Sequence, residues 1–458
     1  MFTAIKKKSA FTGQKLEENK LTEHIPIERM PLPEKVVLPM QQHIGAPCTL
    51  TVKKKSEVRV GQTIAESKGF CSAPIHATIS GTIGKVVQMI GPGNSNIIEA
   101  VEINGDGEDN WVDLERLADV DHGENIAATL RAIDGLDRQS VIDRAKEMGL
   151  VGLGGAAFPT FIKLMKPKDK TIDTIILNGC ECEPWITSDH RTMLERAQEV
   201  LLGFYIIRHM HEPQNAFIAI EDNKPDVIKL YCKLIPDMGL EGIFEVVSLR
   251  SQYPMGAEKT LIKTIVGREV PMLGLPLDVG CVVQNVTTAV MLWEAVANGR
   301  PLVDRLVTVT GAVKTPKNVL ARIGTPIQEL IDFCGGLQDG VTEIIAGGPM
   351  MGVSVVDPSF PVTKGTNNIL AKKSKNLQTY ECINCGACLQ ACPMRLMPLM
   401  FVRAIKHNRY EVCLDYHIDD CMECGSCAYG CPANIPICEY VKSGKGMLRR
   451  IKAAQKSA

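Results

Sequence analysis

Two copies of one cysteine pattern near the C-terminus constrain this chain more than any other feature. The runs CINCGACLQACP and CMECGSCAYGCP share the spacing C-x2-C-x2-C-x3-C-P. This spacing is typical of bacterial proteins that hold two [4Fe–4S] clusters, in which the fourth cysteine of each run ligates the other cluster. Structural zinc sites use pairs of ligands instead of a repeated run of four. The repeat therefore favours iron–sulfur over zinc.

The exchange of the fourth cysteine predicts which residues share a cluster. The first set is Cys382, Cys385, Cys388 and Cys431. The second set is Cys421, Cys424, Cys427 and Cys392. Gly386 and Gly425 let the backbone pass close to the cluster sulfides. The segment between the runs contains a helix-like stretch over 399–407, so we expect a helical two-cluster ferredoxin module.

Composition excludes several other classes of protein. Seventeen cysteines in 458 residues could indicate a secreted disulfide framework, but no apolar signal segment opens the chain and eight cysteines form the two runs. With 51 basic and 52 acidic residues, nothing attracts the whole chain to nucleic acid. Apolar runs such as VMLWEAVA fall short of the ~18 residues that a membrane span needs. We expect a cytoplasmic chain of several domains with no transmembrane segment.

The middle of the chain predicts a parallel α/β sheet. Helix-like and strand-like segments alternate from about 130 to 300, and polar clusters such as NGCECEP and EDNKP follow the strands. Ligands of such sheets bind at the carboxyl ends of the strands. A strand over 281–284 leads into a helix capped by Asn285 and ended by Gly299. This helix start suits a phosphate, although from this segment alone a plain capped helix is the favoured interpretation.

The loop VGLGGAAFPTFIK, residues 151–163, is close to a dinucleotide-binding fingerprint without matching it. Taken with N-x-x-E-x-E-P, Y-x-x-G-x-E and NVTT, in that order, it resembles the flavin- and NADH-binding subunits of respiratory complex I. The segments HIPIERMPLPEK and SAPIHATISGTIGKV, together with the two-cluster module, resemble more closely the C subunits of Rnf complexes. The resemblance runs from about residue 24 to 435. It implies a non-covalent FMN in a cleft that also receives NADH.

The same resemblance assigns eleven positions to this cleft. The cofactor-binding positions are Gly152, Gly154, Gly155, Lys163, Asn178, Tyr253, Gly256, Asn285 and Thr288. The candidate catalytic positions are Glu181 and Glu258. The glycines would let the backbone approach the flavin and the nucleotide, Lys163 would contact the FMN phosphate or ribityl chain, and Asn178 with Glu181 would contact the isoalloxazine edge.

The remaining positions are assigned to the nicotinamide side and to the phosphate end. Tyr253, Gly256 and Glu258 would line the nicotinamide side, and Asn285 with Thr288 would hold the phosphate end. Between the motif residues lies a Cys-x-Cys pair, Cys180 and Cys182, the first of which stands where the complex I subunit has an aspartate. Packing beside the flavin is the favoured interpretation of this pair, and a metal pair or redox disulfide stays open.

The expected fold class is multidomain α/β. The expected parts are an N-terminal extension (1–30), a β-rich barrel-sandwich hybrid lobe (31–107), a parallel α/β FMN/NADH domain (108–302), a β-grasp module of the soluble-ligand-binding type with its connector (303–370), the ferredoxin-like module (371–440) and a basic tail (441–458). Lys68 lies near the position of the lysine that lipoyl carriers modify. Its neighbours differ from theirs, which favours a docking lobe over attachment of a prosthetic group. We expect the tail to be frayed, with docking to an acidic partner or the membrane surface as the alternative.

The resemblance implies a peripheral subunit on the cytoplasmic side of the bacterial cell membrane. It would exchange hydride between NADH and FMN and pass single electrons through two clusters. Its partners would be the iron–sulfur and membrane subunits of an ion-pumping ferredoxin:NAD oxidoreductase, with ferredoxin indirectly and no nucleic acid. Two alternatives stay open: a soluble flavin and iron–sulfur protein of the cobalamin reductase type, and a flavin-free scaffold that transfers electrons between partners through its clusters.

Overall fold

The computed structural model describes residues 3–7, 11, 13–91, 97–118, 120, 125–167, 169–373 and 377–457. Strands and helices are numbered in chain order. The strands are β1 Ile5–Lys7, β2 Ile27–Arg29, β3 Lys35–Pro39, β4 Thr49–Leu50, β5 Glu57–Val58, β6 Thr63–Glu66, β7 Ile75–His76, β8 Gly81–Ile90, β9 Ile97–Gly105, β10 Thr174–Gly179, β11 Asn215–Glu221, β12 Glu245–Leu249, β13 Cys281–Asn285, β14 Asp304–Gly311, β15 Lys317–Arg322, β16 Glu343–Ala346, β17 Val353–Ser354 and β18 Asn368–Lys372. The helices are α1 Ile126–Asp134, α2 Arg138–Glu147, α3 Thr160–Leu164, α4 Ser188–Glu195, α5 Ala197–His211, α6 Pro225–Asp237, α7 Glu258–Val266, α8 Val286–Ala297, α9 Ile327–Phe333, α10 Ala387–Gln390, α11 Pro398–Lys406, α12 Val412–Asp415, α13 Ser426–Tyr429 and α14 Ile437–Ser457.

A parallel sheet with the order β1-β12-β11-β10-β13 forms the centre of the flavin domain. Its inner strands are continuous apolar runs such as TIILNG, as expected for parallel strands that are covered on both faces. Helices α5 and α8 pack on it side by side. At Gly203 their backbones are so close that a Cβ would lie 1.9 Å from the Ala289 carbonyl oxygen. The parallel α/β prediction is confirmed.

The N-terminal lobe consists of two antiparallel sheets. One has the order β3-β9-β8-β5 and the other the order β4-β6-β7. Their inward side chains, among them Leu38, Ile64, Ile75 and Ile103, are fully buried. This arrangement agrees with the expected barrel-sandwich hybrid.

A mixed sheet with the order β17-β16-β18-β14-β15-β2 forms the β-grasp module together with α9. The N-terminal extension contributes to two different sheets. Strand β1 adds an edge strand beside β12 of the flavin sheet, whereas β2 adds an edge strand beside β15 of the β-grasp sheet. The extension is therefore part of both domains, which the sequence analysis did not predict.

The C-terminal part is helical, as expected, but its last segment differs from the prediction of a frayed tail. Helix α14 continues through the expected boundary at 440/441 as far as Ser457. Its first half is held by Val441 and Leu448, which are buried with Phe401 and Ile405 of α11, whereas residues 449–455 are almost all exposed. In the described part of the chain, no helix combines the length and apolar character needed to cross a membrane.

Candidate functional site

The carboxyl ends of the central flavin-domain strands open into one large cleft. Its volume of about 1420 Å³ exceeds the roughly 300–1,000 Å³ typical of a single small-ligand pocket, so it has room for a flavin nucleotide beside a dinucleotide. Loops of the N-terminal lobe and of the β-grasp module complete its walls. Ten of the eleven positions assigned from sequence line it: Gly152, Gly154, Gly155, Lys163, Asn178, Glu181, Tyr253, Gly256, Glu258 and Asn285.

The glycine loop forms one wall of the cleft. The loop is closed by the N–H of Gly152, which donates to the Phe158 carbonyl oxygen at 2.8 Å. Gly155 has a φ of +110°, and a Cβ there would meet no heavy atom within 4 Å. The loop thus presents bare backbone to the open space, as expected for a surface against which a flat ring system stacks.

Thr288 lies behind this loop and does not line the cleft. It is 1% exposed, and its hydroxyl accepts the Leu153 N–H at 2.9 Å. The buried Arg305 holds the same residue from the other side by donating to the Leu153 carbonyl oxygen. The expected contact of Thr288 with a cofactor phosphate is therefore replaced by a positioning role, because helix α8 packs directly beneath the loop.

Asn285 caps helix α8 at the edge of the cleft. Its side-chain oxygen accepts the N–H groups of Thr287 and Thr288 at 2.9 and 3.2 Å. Its amide nitrogen donates to Asp189 at 2.7 Å. Burial, followed by repulsion from Glu181, raises the pKa of Asp189 to about 6. The sequence analysis did not single out Asp189, since it lies outside the recognised motifs.

Lys163 and Glu258 form an ion pair across the cleft. Sequence analysis assigned them to different ends of the cofactors, at the FMN phosphate and the nicotinamide. The Lys163 ammonium also donates to the Val283 carbonyl oxygen at 3.0 Å. Both side chains are partly exposed, and such pairs contribute little net stability. An anionic ligand can therefore compete with Glu258 for the ammonium group.

Asn178 ties the end of β10 to the loop before α7. Its amide donates to the Gly256 carbonyl oxygen at 2.8 Å, and its oxygen accepts the Cys180 N–H at 3.0 Å. The Gly256 N–H donates to the Cys182 sulfur at 3.4 Å. A Cβ at Gly256 would lie 2.4 Å from the Cys180 carbonyl oxygen, so only glycine fits. Burial raises the pKa of both thiols, which agrees with packing beside the cleft.

A buried lysine from the N-terminal extension fixes the loop after β10, which carries the two motif glutamates. The Lys20 ammonium donates to the carbonyl oxygens of Glu181, Glu183 and Ile186 at 2.9, 2.9 and 2.6 Å. Its charge also lies 3.8 Å from the Glu181 carboxylate. Sequence reasoning missed Lys20, because no motif surrounds it.

Glu183 connects the flavin domain to the β-grasp module. Its carboxylate accepts the N–H groups of Met350 and Met351 at 3.1 and 2.9 Å. Burial outweighs these bonds and raises the pKa of Glu183 to about 7. The N-x-x-E-x-E-P motif contains this residue, and that was the one signal available for it.

The structure brings the second cysteine set together around one small cavity in the C-terminal domain. Cys392 of the first run and three cysteines of the second run line it: Cys421, Cys424 and Cys427. This convergence of two runs is what the exchange of fourth cysteines requires. Cys438 also lines the cavity, although it lies outside both runs. Four thiol donors around one space fit a [4Fe–4S] cluster.

The first set lies at the protein surface. Cys382 and Cys385 are exposed, whereas Cys388 and Cys431 are half-buried and pack on the same apolar group. Cys388 lies within electrostatic range of Cys431 and Cys382. The two sets therefore differ in their access to solvent, the second being the more enclosed.

Comparison with known families agrees with this division of the chain. Residues 9–108 match the RnfC barrel sandwich hybrid domain, and residues 145–294 match the Nuo51 FMN-binding domain. Residues 306–354 match the SLBB domain, and residues 381–435 match the 4Fe-4S dicluster domain.

Curated relatives match along most of their own length. The chain is 43% identical to the C subunit of the proton-translocating ferredoxin:NAD(+) oxidoreductase complex of Clostridium ljungdahlii, over 84% of this chain and 81% of the relative. It is 40% identical to the C subunit of the Na(+)-translocating ferredoxin:NAD(+) oxidoreductase complex of Acetobacterium woodii, over 86% of each. It is 39% identical to the C subunit of the ion-translocating oxidoreductase complex of Rhodobacter capsulatus, over 93% and 80%. The chain belongs to the RnfC family.

Crystal structures of NAD+-reducing [NiFe]-hydrogenase also align with this RnfC-family chain. In the H2-reduced and air-oxidized states they cover 70% and 73% of it, at 14% and 15% identity. The alignment spans 62% and 69% of those chains, with a TM-score of 0.49 in both cases.

In this RnfC-family chain the cofactor cleft and the second cysteine set are in direct contact. Met422 lines both the cleft and the cluster cavity. The buried hydroxyl of Tyr253 donates to the Cys424 carbonyl oxygen at 2.6 Å. A further bond runs from the Leu273 N–H to Asp420 at 2.9 Å. Tyr253 thus joins the flavin domain to the loop that carries Cys421, Cys424 and Cys427 (the cluster loop), a contact that sequence analysis did not predict.

Proposed function

We propose that this RnfC-family chain is the NADH- and FMN-binding subunit of a membrane-bound, ion-translocating ferredoxin:NAD⁺ oxidoreductase. Its role is to exchange a hydride between NADH and FMN and to pass single electrons through two [4Fe–4S] clusters. The observation that carries the proposal is the wall shared by the cleft and the cluster cavity, with Met422 in both and Tyr253 bonded to Cys424. The names of the relatives support the same reaction.

FMN fits the cleft because bare backbone, an ammonium group and polar side chains surround one large space. Bound FMN exchanges electron pairs with a nicotinamide and single electrons with an iron–sulfur cluster. The glycine loop (151–155) supplies a surface without side-chain bulk, and Lys163 supplies the positive charge for the phosphate. Glu258 pairs with the same ammonium group, and the phosphate of FMN would compete with it there. Asn178 keeps Gly256 and the loop before α7 at a fixed distance from β10.

The positions of the two cysteine sets indicate the order in which electrons pass through the clusters. The second set lies next to the cleft, whereas Cys382 and Cys385 of the first set are exposed, so the first set is the one available to a partner. We infer that the partners are the iron–sulfur and membrane subunits of the complex, reached from the cytoplasmic side. In this arrangement ion translocation belongs to those subunits.

An anaerobic titration tests the proposal. The chain is reconstituted with iron, sulfide and FMN, and NADH is added while the visible spectrum is recorded, with NADPH as the matched control nucleotide. We expect flavin absorbance to bleach with partial loss of the broad cluster band. If FMN binds and stays oxidised, the donor is not NADH, and a cobalamin reductase-type reaction becomes the better explanation. If no FMN binds, the chain is an electron-wiring scaffold.

A further inference from the structure

One lysine of helix α14 reaches the loop that holds the second cysteine set. The Lys445 ammonium donates to the Cys421 carbonyl oxygen at 2.6 Å. It also lies 2.9 Å from the carboxylate of Glu423, which stands between Cys421 and Cys424. The Lys445 side chain is 11% exposed, so water screens its charge only weakly. Nothing in the sequence motifs pointed to this residue.

The packing of α14 explains how Lys445 reaches that loop. The preceding residue, Gly444, lies directly on α11, where a Cβ would be 2.5 Å from the Ile405 side chain. This close approach of the two helices places Lys445 next to the cluster loop. The other lysines of the helix that form ion pairs differ in position. Lys442 pairs with Glu439 on the same helix, and Lys452 pairs with Asp419 at the surface.

A fixed positive charge beside a cluster affects its two oxidation states differently. Reduction adds one negative charge to the cluster, and a nearby ammonium group stabilises that charge more than it stabilises the oxidised state. Burial acts in the opposite direction, because a low dielectric disfavours the more highly charged reduced state. The Glu423 side chain is 30% exposed and that of Lys445 is 11% exposed, so water screens the carboxylate more than the ammonium group.

We propose that Lys445 raises the reduction potential of the cluster bound by the second set, so that this enclosed cluster can accept electrons from the cleft. Lys445 is a positioning and charge-setting residue and takes no part in ligation. The proposal rests on the proposed function only in requiring that a cluster is bound there. It concerns an equilibrium property that is measured without NADH.

The test is a dithionite redox titration of the reconstituted full chain, followed by electron paramagnetic resonance. The signals of the two clusters are assigned with a Cys385→Ser variant, which perturbs the first set. Lys445→Met removes the charge, and Glu423→Gln removes its counter-charge while keeping the side-chain shape. Lys452→Met removes a charge from the same helix at a surface position.

We expect the potential of the second-set cluster to become more negative in Lys445→Met and more positive in Glu423→Gln. It should be unchanged in Lys452→Met, and the first-set cluster should keep its potential in all three variants. Opposite shifts would support the proposal, since a merely structural disturbance has no reason to reverse its sign. An unchanged potential in both variants, or a shift in the same direction in both, would overturn it, even if NADH still bleaches the flavin.

Discussion

At the scale of single residues, charged and polar side chains of the cleft are paired with one another. Lys163 pairs with Glu258, and Asn285 pairs with Asp189. Such pairing keeps polar groups satisfied in a large polar cleft, because an unpaired buried donor or acceptor costs about 1–3 kcal/mol. A phosphate that binds in the cleft must therefore compete with these partners.

Lys163→Met should weaken FMN binding by about 10- to 100-fold, because a charge-assisted hydrogen bond contributes about 1.5–3 kcal/mol. The measurement is a titration of FMN fluorescence against the apoprotein. Lys170→Met is the matched control, since Lys170 pairs with Asp278 away from the cleft lining. Equal FMN affinity in Lys163→Met and the wild type would exclude Lys163 as the phosphate ligand.

His211 gives the chain an acid-sensitive contact next to the same lysine. Its Nε2–H donates to the Lys163 carbonyl oxygen at 3.0 Å, and burial lowers the pKa of His211 to about 4. Between pH 6.5 and 4 the unfolded chain therefore binds more protons at this position than the folded chain, so stability falls as the pH falls through this window. Lowering the pH from 7 to 5 should cost about 2 kcal/mol through His211 alone.

His211→Gln should remove that part of the pH dependence, because glutamine can donate to the same carbonyl oxygen and does not titrate. The measurement compares thermal midpoints of wild type and variant at pH 7 and pH 5. Between pH 7 and pH 5 the thermal midpoint should fall less in the variant than in the wild type. A gap that is the same at both pH values would contradict the assignment.

At the scale of elements, the contact between α5 and α8 fixes the position of the cleft wall. Helix α8 is capped by Asn285 and supports the glycine loop through Thr288, so any shift of α8 moves both the cap and the loop. Gly203 sets the distance between the two helices. The packing of two largely buried helices thus determines the geometry of a site that neither helix alone would form.

Gly203→Ala should destabilise the flavin domain by about 1–3 kcal/mol, because overpacking of a tight contact outweighs the helix propensity that alanine adds. It should also weaken FMN binding. Gly446→Ala in α14 is the matched control, since a Cβ there meets no heavy atom within 4 Å, and it should be neutral or slightly stabilising. Thermal unfolding followed by circular dichroism measures both. Two variants of equal stability would show that the helices can separate without cost.

The sequence predicted those features of these elements that depend on neighbouring residues, but not the contacts between residues far apart in the chain. The Asn285 cap depends on residues adjacent in sequence and was readable from the pattern. The Lys163–Glu258 pair joins residues far apart in the chain, and the burial of Thr288 depends on how α8 packs. The three-residue strands β1 and β2 carry no periodic signal, so their places in two sheets could not be predicted. The helical tail could not be predicted either, because it depends on contacts of Val441 and Leu448 with α11.

At the scale of the whole molecule, four domains meet around one cleft, which adjoins the cluster cavity of the C-terminal domain. Lys20 from the extension, Glu183 with its β-grasp contacts and Tyr253 with its contact to Cys424 each tie the flavin domain to another part of the chain. The cluster loop approaches the β-grasp loop so closely that a Cβ at Gly425 would lie 2.9 Å from the Met350 carbonyl oxygen. These contacts hold the cleft and the second cysteine set at a fixed separation.

The proposed function requires one ordered electron relay, from the cleft to the second set and then to the first set. Rapid mixing of NADH with the reconstituted chain, with freeze-quenched samples for electron paramagnetic resonance, tests this order. Cys424→Ser disrupts the second set, and Cys438→Ser changes a cavity-lining thiol outside both runs. We expect NADH to bleach the flavin in all three proteins. The first-set cluster should be reduced in the wild type and Cys438→Ser but not in Cys424→Ser. Reduction of that cluster at the wild-type rate in Cys424→Ser would contradict the relay.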